Sequence, residues 1–347
     1  MVIQLLSHIL IFAINNMFRA KNELFFLEQF IIVREDLQRD TQVDKSVDAD
    51  YFATNRLFSA KKILWIMLST FTKKIAFQLT GCLSYLLLNH IKDELMCYHK
   101  SQTKPLEKVA EYYKAKYNNE VKEQHEIQFH ENGFDFKPSA IITAQQPGEL
   151  QIYSWGFIAF FNKSLANAMV SRTQTLNCVS EEMYSKPSFS DAALRGQRCL
   201  IPCSGFMEWK WMDDKGKSKI PYYIQVKGQE IFSLAGLYST WKDPATALEY
   251  NTYTVLTAPA NTLMSEIHNS KKRMPVIIPK QYEKDYLNPS LSRNDVLALC
   301  SPFSDSNMSA YTISKLITSK ADESNVKKVL EPYRYEAPAK DIQTSLF

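Results

Sequence analysis

The sequence predicts an α+β domain built on a curved, barrel-like, mainly antiparallel sheet with flanking helices. Three observations lead there. From about residue 96 onward, short runs rich in β-branched and aromatic residues alternate with irregular connections. Only a few stretches carry a helical period. The residues that punctuate a fold are confined to that same part of the chain. All 14 prolines fall at or after Pro105, and Gly81 alone of the nine glycines lies in the first 95 residues. Average usage would place about five prolines there.

The elements follow in order. Residues 1–95 lack proline turns, Asn-Gly pairs and glycine caps. Met1–Phe18 is apolar but carries His8, Asn15 and Asn16, with no early positive region and no small-residue cleavage site, which makes a poor signal peptide. Ile75–Leu88 is apolar behind Lys73 and Lys74, yet shorter than the ~18–20 residues that cross a bilayer. The stretch is read as an extension: membrane-associating, a small helical addition, or, as the preferred reading, sequence translated from a start placed too early or removed afterwards. The domain is expected over 96–333. Thr103-Lys104-Pro105 opens a helix with Leu106, Val109, Ala110 and Tyr113 on one face. Pro138–Phe161 is β-like with a turn at Gln146-Pro147-Gly148, and Ser188–Gln197 reads as a helix. Arg198–Cys203, Tyr222–Val226, Ile231–Leu237, Thr252–Thr257 and Pro275–Ile278 read as strands, Ser292–Cys300 as a helix, and 334–347 as a polar tail.

A net charge of +4 permits nucleic-acid binding without arguing for it. Six cysteines in so long a chain are no disulfide framework and fit reduced thiols in the cytoplasm. Cys199-x-x-x-Cys203 lacks a matching second pair, so two buried thiols on a strand are expected rather than a metal site. Phosphate loops, HExxH and GxSxG are absent, and no metal or cofactor is expected.

The polar residues that could carry chemistry are Cys97, Asn177, Glu181, Glu208 and His268. Glu208 sits in Gly205-Phe206-Met207-Glu208-Trp209, an apolar setting that raises a carboxyl pKa and makes a usable acid/base. His268 follows Asn261 in a short turn or helix and precedes Lys271-Lys272-Arg273, which beside a catalytic histidine could hold phosphates. Trp155 and Trp209 could stack on bases. Generic counting favours the plainer reading for each: a surface glutamate, a structural histidine, core tryptophans. Cys97 directly follows Met96. Were it the N-terminal residue, its amine and thiol would lie on adjacent carbons. The amine would condense with an aldehyde to an imine and the thiolate would close a thiazolidine. An internal cysteine does not do this.

Taken in order, these pieces resemble the SOS response-associated peptidase (SRAP) family of abasic-site processing proteins. The matching segments are Met96-Cys97, Trp155-Gly156-Phe157-Ile158, Asn177 with Ser180-Glu181, Lys186 to Phe189, Arg198 to Pro202, Gly205 to Trp209, Pro221 to Ile224, Ala235 to Tyr238, Leu256-Thr257, Ala260-Asn261 with Met264, Ile267-His268 and Arg273 to Ile277. The resemblance implies that Cys97, as the mature N-terminus, crosslinks to the ring-opened aldehyde of an abasic site in single-stranded DNA. It implies that Asn177 orients the cysteine amine, that Glu208 and His268 move protons, and that Thr257 lines the pocket. It also implies AP-lyase activity by β-elimination and cleavage of the peptide preceding the cysteine. Trp155, Trp209 and Arg273 are the expected DNA contacts, the partner is abasic single-stranded DNA, and a monomer without membrane attachment is expected. The chain departs from the family where Asn177-Cys178-Val179 replaces Asn-Ala-Arg and where Tyr98-His99 follows Cys97 in place of Gly-Arg. Lys100 or Arg172 is expected to supply the missing charge. Two other readings stand beside this one: a non-covalent single-stranded DNA-binding module and a thiol peptidase acting on proteins.

Overall fold

The structure, a computed structural model, describes residues 97–319 and 323–336. The readings of residues 1–95, of Met96 and of the tail beyond residue 336 lie outside the described residues. In chain order the strands are β1 (His99–Gln102), β2 (Gln128–Asn132), β3 (Pro138–Thr143), β4 (Leu150–Trp155), β5 (Asn177–Val179), β6 (Arg198–Cys203), β7 (Gly205–Trp211), β8 (Lys219–Val226), β9 (Phe232–Lys242), β10 (Glu249–Pro259), β11 (Arg273–Pro275), β12 (Ile277–Ile278) and β13 (Met308–Thr312). The helices are α1 (Leu106–Tyr113), α2 (Asn119–Gln124), α3 (Leu165–Arg172), α4 (Pro187–Leu194), α5 (Thr262–Ile267), α6 (Glu283–Leu287) and α7 (Arg293–Leu299).

The expected barrel is present. Strands β10, β4, β3, β6 and β9 pair in turn, and β9 pairs back onto β10, so five strands close on themselves. A second sheet runs β13-β8-β7-β1-β2. The pairings are antiparallel except for β4 and β5, which run parallel to β10. Period-two alternation gives the barrel wall two apolar faces. Ile141, Cys199, Ile201 and Val255 pack with Phe206, Ile224 and Met308 of the second sheet. Their neighbours Ile142, Leu200 and Leu256 pack with Val109, Phe189, Tyr286 and Val296 of the helices.

Local chemistry explains most boundaries. Pro105 precedes α1, whose buried side is Leu106, Val109 and Ala110, and Lys114 ends the helix in the left-handed conformation. Pro187 opens α4 at its first turn. The β-like run expected through Phe161 stops at Trp155, because Gly156 takes φ +96° and turns the chain. Five strands beyond those expected complete the sheets: β1, β2, β5, β7 and β13.

Gly205 is required by close approach. A Cβ there would lie 2.2 Å from the Tyr223 ring, whose hydroxyl bonds Ser101 at 2.7 Å. Gly205→Ala is expected to lower the free energy of unfolding by about 3 kcal/mol, read as a drop in the denaturation midpoint. An unchanged midpoint would show that the ring yields freely.

Candidate active site

Three separate elements deliver one buried cluster. Cys97 enters just before β1, which pairs with β7 through Lys100–Phe206 and Ser101–Gly205. Continuing that antiparallel register brings Cys97 alongside Glu208 and Trp209 of β7. Glu208 is held in the middle of β7 opposite Tyr222 of β8. His268 caps the C-terminus of α5, whose N-cap is Asn261, its side chain accepting from the Met264 N–H. Cys97, Glu208 and His268 are 4%, 4% and 5% exposed, and one donor atom from each lies within 4.8 Å of the others. Residues of these types at that spacing suit nucleophilic chemistry with a general acid/base pair. They could equally hold a metal ion, which would occupy the same thiol.

Hydrogen bonds set the orientation of the cluster. His268 Nδ1 lies 3.0 Å from the Arg273 carbonyl, which only accepts, so Nδ1 carries the proton. The same nitrogen is 3.8 Å from Glu208 Oε1. Glu208 Oε1 is buried without a hydrogen-bond partner, as are both polar atoms of the Asn177 side chain. Asn177 opens β5, in register with Val255 of β10. Buried, unspent polar atoms are costly in a finished fold and are expected where a ligand completes them.

Arg273 of β11 donates through both terminal nitrogens to Glu181, at 2.6 and 2.8 Å, and to the Thr257 carbonyl at 2.6 Å. Thr257 is fully buried in β10. Arg273 holds the Glu181 carboxyl down to about 2. Burial, and then the facing charge of Glu208, push the Cys97 thiol well above its ordinary value. Burial also pushes up the thiols of Cys178, Cys199, Cys203 and Cys300, and no disulfide forms among the described residues.

A family model described as "SOS response associated peptidase (SRAP)" matches residues 96–320. This chain belongs to that family. The abasic site processing protein YoqW of Bacillus subtilis (strain 168) is 39% identical over 150 residues, which are 43% of this chain and 64% of YoqW. The chain thus spans less than two thirds of that relative's length. The abasic site processing protein YoaM of the same organism is 35% identical over 188 residues, 53% of this chain and 77% of YoaM. A crystal structure of a protein from Bacteroides thetaiotaomicron superposes with a TM-score of 0.63 at 34% identity, covering 69% of this chain and all of that one.

Within this SRAP domain the structure brings together Cys97, Glu208 and His268, bonds His268 to the Arg273 carbonyl and Arg273 to Thr257, and sets Asn177 on β5 in register with Val255 of β10. Three expected DNA contacts are corrected. Lys100 is 1% exposed and ion-paired with Glu131, itself bonded by Ser139 and Tyr253. Arg172 is buried on the Phe136 ring and donates to the carbonyls of Gly156 and Trp155 at 3.0 Å each. Trp155 is 1% exposed, donates to the Leu176 carbonyl and stacks on Tyr253. All three are committed to the core and offer nothing to a strand of DNA. Trp209 is half-buried against His99 and Tyr98. Lys100→Met would leave Glu131 buried and uncompensated, and is expected to cost about 3–5 kcal/mol of stability. Chemical denaturation measures it, and a change in DNA affinity without loss of stability would contradict the placement. No helix among the described residues is long and apolar enough to cross a membrane.

Proposed function

We propose that this protein processes abasic sites in single-stranded DNA by forming a thiazolidine with Cys97 once that residue is the N-terminus. The observation that carries the reading is the buried convergence of Cys97, Glu208 and His268, and the buried, unpartnered Asn177 side chain supports it. Relatives named as abasic site processing proteins support it. The Cys97 amine condenses with the ring-opened aldehyde and releases one water. The thiol then adds across the imine, its proton passing to the nitrogen by way of a nearby base. Glu208 faces the thiol and is that base. His268 exchanges protons with the sugar hydroxyl during ring opening and reversal, and Asn177 holds the amine. The imine also permits strand cleavage by β-elimination, and the same groups serve to cleave the peptide bond before Cys97.

The backbone favours this N-terminus. Cys97 has φ +53°, a left-handed conformation that costs a β-carbon-bearing residue about 1–2 kcal/mol. The angle exists only because a carbonyl precedes it, so cleavage before Cys97 removes the strain. For phosphate, Val179 stands where the family has arginine, while exposed Lys271 and Lys272 flank the site next to His268 and take that role. In the cell these properties make a DNA-repair protein that shields abasic sites.

The test is direct. Protein beginning at Cys97 is incubated with single-stranded DNA bearing one abasic site, and a heat-stable adduct is expected. The same oligonucleotide without the lesion gives none. Salt-sensitive binding with no covalent product would instead favour a non-covalent module, and turnover of a peptide without DNA would favour a protein peptidase.

A further inference from the structure

Strand β7 is paired with β1 only near its start, at Gly205 and Phe206. Past that point, the edge of β7 facing away from β8 needs other partners for its backbone. At Trp211 one side chain takes over the work of a strand. The Asn269 Oδ1 accepts from the Trp211 N–H at 3.0 Å, and the Asn269 Nδ2 donates to the Trp211 carbonyl at 2.9 Å. The next residue faces the other way, as a strand requires: the Met212 N–H donates to the Ser218 carbonyl at 2.9 Å. Asn269 immediately follows His268, and Trp211 lies three residues beyond Glu208 on the same strand.

The loop that carries Asn269 is internally closed. The Lys272 N–H donates to the His268 carbonyl at 2.9 Å, and His268 Nδ1 donates to the Arg273 carbonyl at 3.0 Å. Loop and imidazole therefore move together, and the Asn269 amide fastens that unit to the strand bearing Glu208. We propose that Asn269 is a positioning residue that fixes the 3.8 Å spacing of His268 and Glu208. The inference rests on the acid/base reading of that pair. Asn269 itself touches no reacting atom. It lies on an open groove of about 420 Å³ whose other walls include Trp211, Met212 and Lys271, so the competing role is a DNA contact.

Asn269→Ala separates the two. Adduct formation with abasic single-stranded DNA is expected to slow by about tenfold, because small misplacements of reacting groups are costly, and its pH–rate profile is expected to flatten. Affinity for an oligonucleotide carrying a non-reactive tetrahydrofuran abasic analogue is expected to stay within about twofold, as a positioning role leaves binding alone. Asn269→Asp keeps the acceptor but loses the donor, and is expected to fall between. An unchanged rate, or an affinity that falls in step with the rate, overturns the proposal. A second readout needs no adduct. Cys97 is 4% exposed, and freeing the loop that carries His268 opens its surroundings, so alkylation of Cys97 in the full chain at a fixed pH, followed by peptide mass spectrometry, is expected to be faster in Asn269→Ala. If the parent protein forms no adduct, the reading of function fails, and an unchanged alkylation rate then sinks the role of Asn269 separately.

Discussion

Cys97→Ala, in protein beginning at residue 97, is expected to eliminate the heat-stable adduct with abasic single-stranded DNA. The variant keeps an N-terminal amine, so it still condenses with the aldehyde, and borohydride still traps the imine. What it loses is the second bond. Without sulfur on the adjacent carbon the imine hydrolyses, and no five-membered ring protects it. The other cysteines among the described residues do not compensate, since each is buried with a raised thiol pKa and lies in a strand or helix interior or at a helix end. A heat-stable adduct from Cys97→Ala would remove the thiazolidine from the account. Loss of imine trapping as well would mean that the substitution disturbed amine placement and not the sulfur alone.

Glu208→Gln has the second-largest expected effect, and it works in two directions at once. The amide is nearly the same shape, so β7 and its pairing with β8 stay intact. Removing a general base slows adduct formation by roughly 10²–10³-fold. The thiol responds oppositely. Burial and the Glu208 charge both raise the Cys97 pKa. Removing the charge leaves burial as the raising influence and Arg273 as a lowering one, so the pKa falls and more thiolate is present at any given pH above neutrality. Alkylation of Cys97 at pH 8 is therefore expected to be faster in Glu208→Gln while crosslinking is slower. A uniform drop in both would indicate a damaged pocket, and a uniform rise would show that thiolate supply alone limits the reaction.

Much of the fold could be read from the sequence because its signals are local. Proline at the start of α1 and α4, and the short apolar run within Arg198–Cys203, need no knowledge of the rest of the chain. The second sheet was harder. Strand β1 reads His-Lys-Ser-Gln, four polar residues, yet every one is buried. Its identity as a strand depends on distant partners: Glu131 for Lys100, His130 for His99 and Tyr223 for Ser101. Hydrophobic periodicity has no access to such pairings. Lys100 and Arg172 carry the same lesson. Positive charge in sequence suggests phosphate, but burial with a carboxylate or with backbone carbonyls makes each a structural cation.

The site was legible as a set of residue types in order, and the fold supplies their meeting. Glu208 and His268 lie 3.8 Å apart in space though sixty residues separate them in sequence. Asn269 gave no signal at all, since a surface asparagine beside a lysine pair is ordinary composition. Its role depends on the free edge of β7, which appears only when the sheet is assembled. Glu181 was visible as one more acidic residue, whereas its hold on Arg273 depends on β5 and β11 flanking the same strand, β10.

In the proposed chemistry Cys97 reacts as an N-terminal residue. The measurement that tests it most directly is tandem mass spectrometry of the crosslinked peptide, starting from the full 347-residue chain incubated with abasic single-stranded DNA. The account predicts a nucleopeptide whose first residue is Cys97, with the combined mass of peptide and lesion less one water. A crosslinked peptide that still carries Met96 or any earlier residue, with the lesion on Cys97, would contradict it.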